Sequence, residues 1–104
     1  MSTKYRKWVE QLSCSTAAPS NPVIVPGDAV NLGVTAIPGG GGSIRVEFSL
    51  NPKEDVEAGT ATWVAWEEGN VGTPTSRALV GTITAIRGVA TTANGTLQVA
   101  GYRS

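Results

Sequence analysis

The stretch Val34-Thr35-Ala36-Ile37-Pro38-Gly39-Gly40-Gly41-Gly42-Ser43-Ile44-Arg45-Val46 decides the fold. It is echoed by Ile83-Thr84-Ala85-Ile86, a loop from Arg87 to Gly95, and Thr96-Leu97-Gln98-Val99. Each copy reads as strand, loop, strand. β-branched and small residues alternate around a glycine break, and successive side chains of a strand point to opposite faces. Two such hairpins predict an all-β fold, a small antiparallel β-sandwich of about six to seven strands. The echo is loose, which favours structural duplication over a solenoid, since a solenoid needs more units at constant period.

Working outward, Ser43 to Leu50 shows the clearest period of two, with Ile44, Val46, Phe48 and Leu50 on a core face and Arg45, Glu47 and Ser49 on a wet face. Asn51-Pro52 ends that strand, because proline cannot donate to a ladder. Lys53 to Gly59 fits one helical turn with glycine as its cap. Upstream, Ala29 to Ile37 reads as a strand, preceded by Val23-Ile24-Val25 and the turn Pro26-Gly27-Asp28. Downstream, Thr60 to Trp66 is a strand whose Trp63 and Trp66 fall on opposite faces. One of them fills the core, and the other lies at a rim, beneath a loop or against another molecule. Arg77 to Arg87 and Thr96 to Arg103 complete a second hairpin, with Asn94-Gly95 as turn chemistry.

The N-terminal segment reads differently. Residues 3 to 12 fit a short helix that places Tyr5, Trp8, Val9 and Leu12 on one face. Ser13 to Pro22, rich in Ser, Thr, Ala and Pro, reads as a linker. The expected organisation is an arm and linker over residues 1–22 and a sandwich body over residues 23–104. An apolar stripe on so short a helix has to dock on its own sandwich or on a neighbour, and Lys4, Arg6 and Lys7 are placed to pair with acidic groups of a partner.

Composition removes several function classes. At 104 residues the chain makes one domain with a thin core, and its 13 glycines and six prolines accompany many Thr and Val. Eight basic residues balance eight acidic ones, so no broad field attracts nucleic acid or an anionic membrane. There is no histidine, the commonest general base and metal ligand near neutral pH. Cys14 is the single cysteine, read as a small, partly buried apolar residue. The four glycines lack the Gly-Lys-Ser or Gly-Lys-Thr that opens a P-loop helix, and the acids of residues 54–57 lack EF-hand spacing. Glu67 and Glu68 diverge as neighbours on a strand and are read as surface acids. The start shows neither a signal peptide nor a membrane span, so synthesis and assembly in the cytoplasm are expected. No enzyme, cofactor or metal is expected.

Three segments, Val46 to Pro52, Ala58 to Val71 and Leu79 to Arg87, resemble a group of small tailed-bacteriophage virion proteins. In that group a strand ending in Ser-Leu-x-Pro leads through an Ala-Gly-Thr-Ala strand to Trp-x-x-Trp and a glycine turn, and a Thr-Ala-Ile-Arg or Thr-Ala-Leu-Arg strand follows. The likeness covers residues 26 to 101 and leaves the basic arm unmatched. It implies a non-enzymatic virion protein, a head decoration or cement protein that bridges capsid subunits, with a tail or fibre component as the alternative. The expected partners are the major capsid or other virion proteins and further copies of the chain, a trimer being the leading state. A second hypothesis is a carbohydrate-binding or adhesion module with Trp66 and Asn70 as surface contacts.

Overall fold

The computed structural model describes residues 6–79 and 81–103. Its elements run β1 (Arg6–Cys14), β2 (Val23–Ile24), β3 (Ala29–Ile37), β4 (Ser43–Ser49), α1 (Lys53–Ala58), β5 (Val64–Ala65), β6 (Thr75–Ala78), β7 (Ala85–Thr91) and β8 (Gly95–Arg103). They form two four-stranded sheets, a front sheet of order β1-β8-β3-β6 and a back sheet of order β2-β7-β4-β5. All pairings are antiparallel, with β1 on β8, β2 on β7, β3 on β6 and β4 on β5. The chain is thus one long antiparallel ribbon. Rolling it over brings β3 against β8 and β4 against β7, which is the jelly-roll way of packing two sheets.

The sandwich is all-β, as its alternation predicts, but the repeated phrase is not a hairpin. β3 and β4 lie in different sheets, as do β7 and β8, so each copy is an arch crossing from one sheet to the other. Alternation fixes which face a side chain takes and is blind to which strand lies beside it. The Pro38 to Gly42 loop closes a tight turn, the Gly42 amide donating to the Gly39 carbonyl at 2.9 Å, but that turn leads from one sheet to the other, and the crossing buries both strands' apolar faces against each other. Val34 and Ala36 of β3, Ile44 and Val46 of β4, Ile86 and Ala90 of β7, and Leu97 and Val99 of β8 are all buried there. The two arches pair with each other in opposite senses, Val34 opposite Val99 and Val46 opposite Gly88.

Their loops also touch. A Cβ at Gly39 would land on the Asn94 carbonyl, and one at Gly42 would meet Ala93 at 2.8 Å. The glycine run is therefore packed against the second arch at two positions, while Gly40 faces open space.

The segment expected to be a helix is strand β1, a correction to the sequence reading. Ten residues cannot hold a helix alone, whereas pairing from Arg6 opposite Arg103 to Cys14 opposite Gly95 satisfies the backbone along the whole of β8. The strand also splits the proposed apolar face. Trp8 and Leu12 pack against the core while Val9 stays 52% exposed. Lys4 and Tyr5 lie outside the described residues. The linker is a crossing between sheets, tied down where the Thr16 amide donates to Asn94 Oδ1 at 3.2 Å and where Ser20 and Gly88 exchange hydrogen bonds. Arm and body are in this sense one unit.

α1 and its glycine cap match the expectation, with Gly59 left-handed at φ 79°. Asn51 fixes the entrance to α1, bonding Asp55 through its Nδ2 and receiving the Thr62 amide on its Oδ1. Of the strand expected over Thr60 to Trp66, only Val64–Ala65 pairs regularly.

Candidate functional site

Side chains that leave the core populate two outer faces and a cleft between two sheet edges, and the register of the sheets sets what each face displays. On the front sheet, Val9, Ala100, Gly33 and Ala78 align across all four strands. The neighbouring row is Gln11, Gln98, Thr35 and Ser76. Within it Gln98 Nε2 donates to Gln11 Oε1 at 2.6 Å, and the Thr35 and Ser76 hydroxyls lie 2.6 Å apart. These polar groups satisfy one another, and with the central row of small residues they line a shallow groove of about 540 Å³ that has Lys7 and Arg77 at its margins. Lys7 stands at its end over the Tyr102 ring, 5.1 Å from the centroid.

The back sheet is the opposite in character. Glu47 points outward from β4, directly across from Arg87 of β7, and its side chain is only 11% exposed. Arg45 straddles Oε2, with Nε at 3.0 Å and Nη2 at 2.9 Å. Arg87 straddles Oε1, with Nε at 2.8 Å and Nη2 at 2.7 Å. Trp63 then covers Arg87, its ring centroid 4.3 Å from Cζ. Alternation places Arg45 and Glu47 on the wet face correctly, but the pairing that buries Glu47 there comes from a residue 40 positions away and has no local signature.

The cleft opens between the edges of β5 and β6. It encloses about 310 Å³ and is lined by Phe48, Trp66, Leu79 and Ile83, with the Glu68–Arg77 ion pair at 2.8 Å on its rim. Trp66 is the core tryptophan, 5% exposed, its Nε1 donating to the Gly69 carbonyl at 2.6 Å. This corrects its assignment as a surface contact, because the ring that would stack on a ligand is already packed. Asn70 is exposed as expected, and the tryptophan on the surface is Trp63. Of the expected partner-binding residues, Arg6, Lys7 and Val9 lie outward, whereas Trp8 and Leu12 serve the chain's own core.

Cys14 sits fully inside, its Sγ against Gly88. Burial pushes its thiol pKa up, with a hydrogen bond to Ser20 pulling the other way. At the far end of the sheet, the Arg103 guanidinium donates to Asp28 at 3.1 Å and holds that carboxyl below its usual range. Among the described residues no group of three or more His, Cys, Asp or Glu side chains could hold a metal ion, and no helix is long and apolar enough to cross a membrane.

Fold and surface define a small jelly-roll domain with one bland face and one ion-paired face. No protein-family model matches the chain, and no curated protein matches it. Among solved structures, it is similar to a Bacillus chain from a structure described as "Bacillus endospore appendages form a novel family of disulfide-linked pili". That likeness has a TM-score of 0.49 and 14% identity, and covers 96% of this chain and 86% of that one.

Proposed function

We propose that this protein is a structural component of a bacteriophage virion, a head decoration or cement protein that acts as an oligomer by covering and bridging shell subunits. The observation that carries the reading is the front sheet's outer face, whose central row of Val9, Ala100, Gly33 and Ala78 carries no charge and lines a shallow groove of about 540 Å³. Such a row lets another protein surface approach closely without desolvating charge. The jelly roll itself is shared by virus shells, lectins and cupins, so the architecture alone does not choose among them. Residues favour the first. A chain without histidine lacks the imidazoles of a cupin-type metal site, and of the two tryptophans that a sugar could stack on, Trp66 is buried and Trp63 already covers Arg87. The resemblance of the Trp63 to Trp66 region to small phage virion proteins points the same way.

In this reading the contact is made by the sandwich surface, with Val9 and Lys7 contributing from β1, and not by a detached helix. The experiment mixes purified protein with particles lacking it and compares Ala100→Arg with the parent chain by co-sedimentation. A charge at the centre of the face is expected to abolish binding while leaving the circular dichroism spectrum unchanged. Undiminished binding would remove the front face from the mechanism, and failure of the parent chain to bind any such particle would remove the virion reading.

A further inference from the structure

The Arg45–Glu47–Arg87 cluster holds two positive charges against one negative, in a place that is already partly dry. Each guanidinium carries five N–H groups and gives two nitrogens to Glu47, so several donors on each remain uncommitted. No fully buried side-chain nitrogen or oxygen among the described residues lacks a partner, so those free donors open to solvent. Arg45 and Arg87 are 32% and 24% exposed. Glu47 fixes both guanidinium planes and Trp63 caps one of them, so the ordering cost of binding is met in advance.

We propose that Arg45 and Arg87 form a docking site for a carboxylate carried by an acidic peptide segment of a partner protein. A planar pair of donor forks suits a carboxylate, and one surplus positive charge matches a monoanion better than a phosphate dianion. The surroundings suit a peptide. On the same outer face Val89 lies beside Arg45 and Ala65 beside Glu47, giving the flanking chain small apolar neighbours. The site goes beyond the assembly reading and stands without it.

The test uses the isotope-labelled full chain and follows the arginine Nε–H and tryptophan indole resonances during titration with a short polyglutamate peptide at low salt. Polyglutamine and inorganic phosphate serve as the comparison probes. Saturable shifts confined to Arg45, Arg87 and Trp63, weakening as salt is added, are expected with polyglutamate alone. Glu47→Gln doubles the surplus charge and should tighten binding by roughly threefold, while Arg45→Gln should weaken it by a similar factor. Amide dispersion reports whether each variant folds. Should Glu47→Gln fail to fold, Arg45→Gln, which leaves the Arg87 pair in place, decides. No shift at millimolar peptide, a folded Glu47→Gln that binds no more tightly, an unaffected Arg45→Gln, or phosphate binding more tightly than peptide would each overturn the assignment.

Discussion

A single buried thiol gives the chain a pH dependence whose sign follows from its surroundings. Cys14 is protonated more firmly in the folded state than in the unfolded one, because burial disfavours the thiolate. Its contribution is fully present below the unfolded thiol's pKa, about 8.5, and is lost as pH rises toward the folded value, since only the unfolded chain releases the proton there. Urea midpoints measured from pH 7 to 10 should fall more steeply for the parent chain than for Cys14→Val. Parallel slopes would show that the thiol is not protected. The glycine loop is a second case at this scale. Gly39→Ala forces a methyl onto the Asn94 carbonyl and should cost about 1–3 kcal/mol, whereas Gly40→Ala points into open space and should be neutral or slightly stabilising. Equal melting temperatures for the two variants would contradict the contact between arches. The sequence shows four identical glycines; only the neighbouring loop tells them apart.

At the scale of elements, what was legible is what depends on near neighbours in the chain. The bounds of β3, the core positions Ile44 and Val46 of β4 and the glycine cap of α1 follow from alternation and from local φ preferences, and the structure reproduces them, whereas at the end of β4 Leu50 is exposed and Ser49 is buried against the expected alternation. β1 was illegible because Trp8, Val9 and Leu12 fit a helical stripe as well as they fit a strand, and the deciding factor is the free edge of β8 at the other end of the sequence. Trp63 and Trp66 were correctly placed on opposite faces, but which one is buried depends on Val46, whose carbonyl receives the Trp66 amide at 2.9 Å. Strand parity gives β1 a clean test. Trp8→Ala removes a ring packed on the core and should cost about 3 kcal/mol, while Val9→Ala on the outer face should cost less than about 1 kcal/mol. A docked helix would instead have made the two losses alike, and chemical denaturation of both variants separates the cases.

The whole molecule contains a symmetry that neither copy of the repeated phrase reveals alone. Advancing every strand by four turns the front order β1-β8-β3-β6 into β5-β4-β7-β2, which is the back sheet read from its other edge. β1–β4 and β5–β8 are therefore equivalent halves. The first and last described residues are also neighbours, since Arg6 lies opposite Arg103 across one ladder spacing, and a short linker between those two positions can join them. A permuted chain that joins the ends and opens between Gly59 and Thr60, both exposed, keeps every strand pair and merely exchanges the roles of the sheets. It gives up the Thr60 amide bond to the Asp55 carbonyl, worth about 1 kcal/mol, and shortens the loop between β1 and β8, which lowers the entropy lost on folding. The expected outcome is a folded permutant with the parent's circular dichroism spectrum and a stability within about 2 kcal/mol of it. A chain opened inside β4 loses a central ladder on both sides and should not fold, so the two permutants together read the symmetry directly. If the Gly59–Thr60 permutant were unfolded, the four-strand halves would be equivalent on paper only, and the duplication heard in the sequence would carry no energetic meaning.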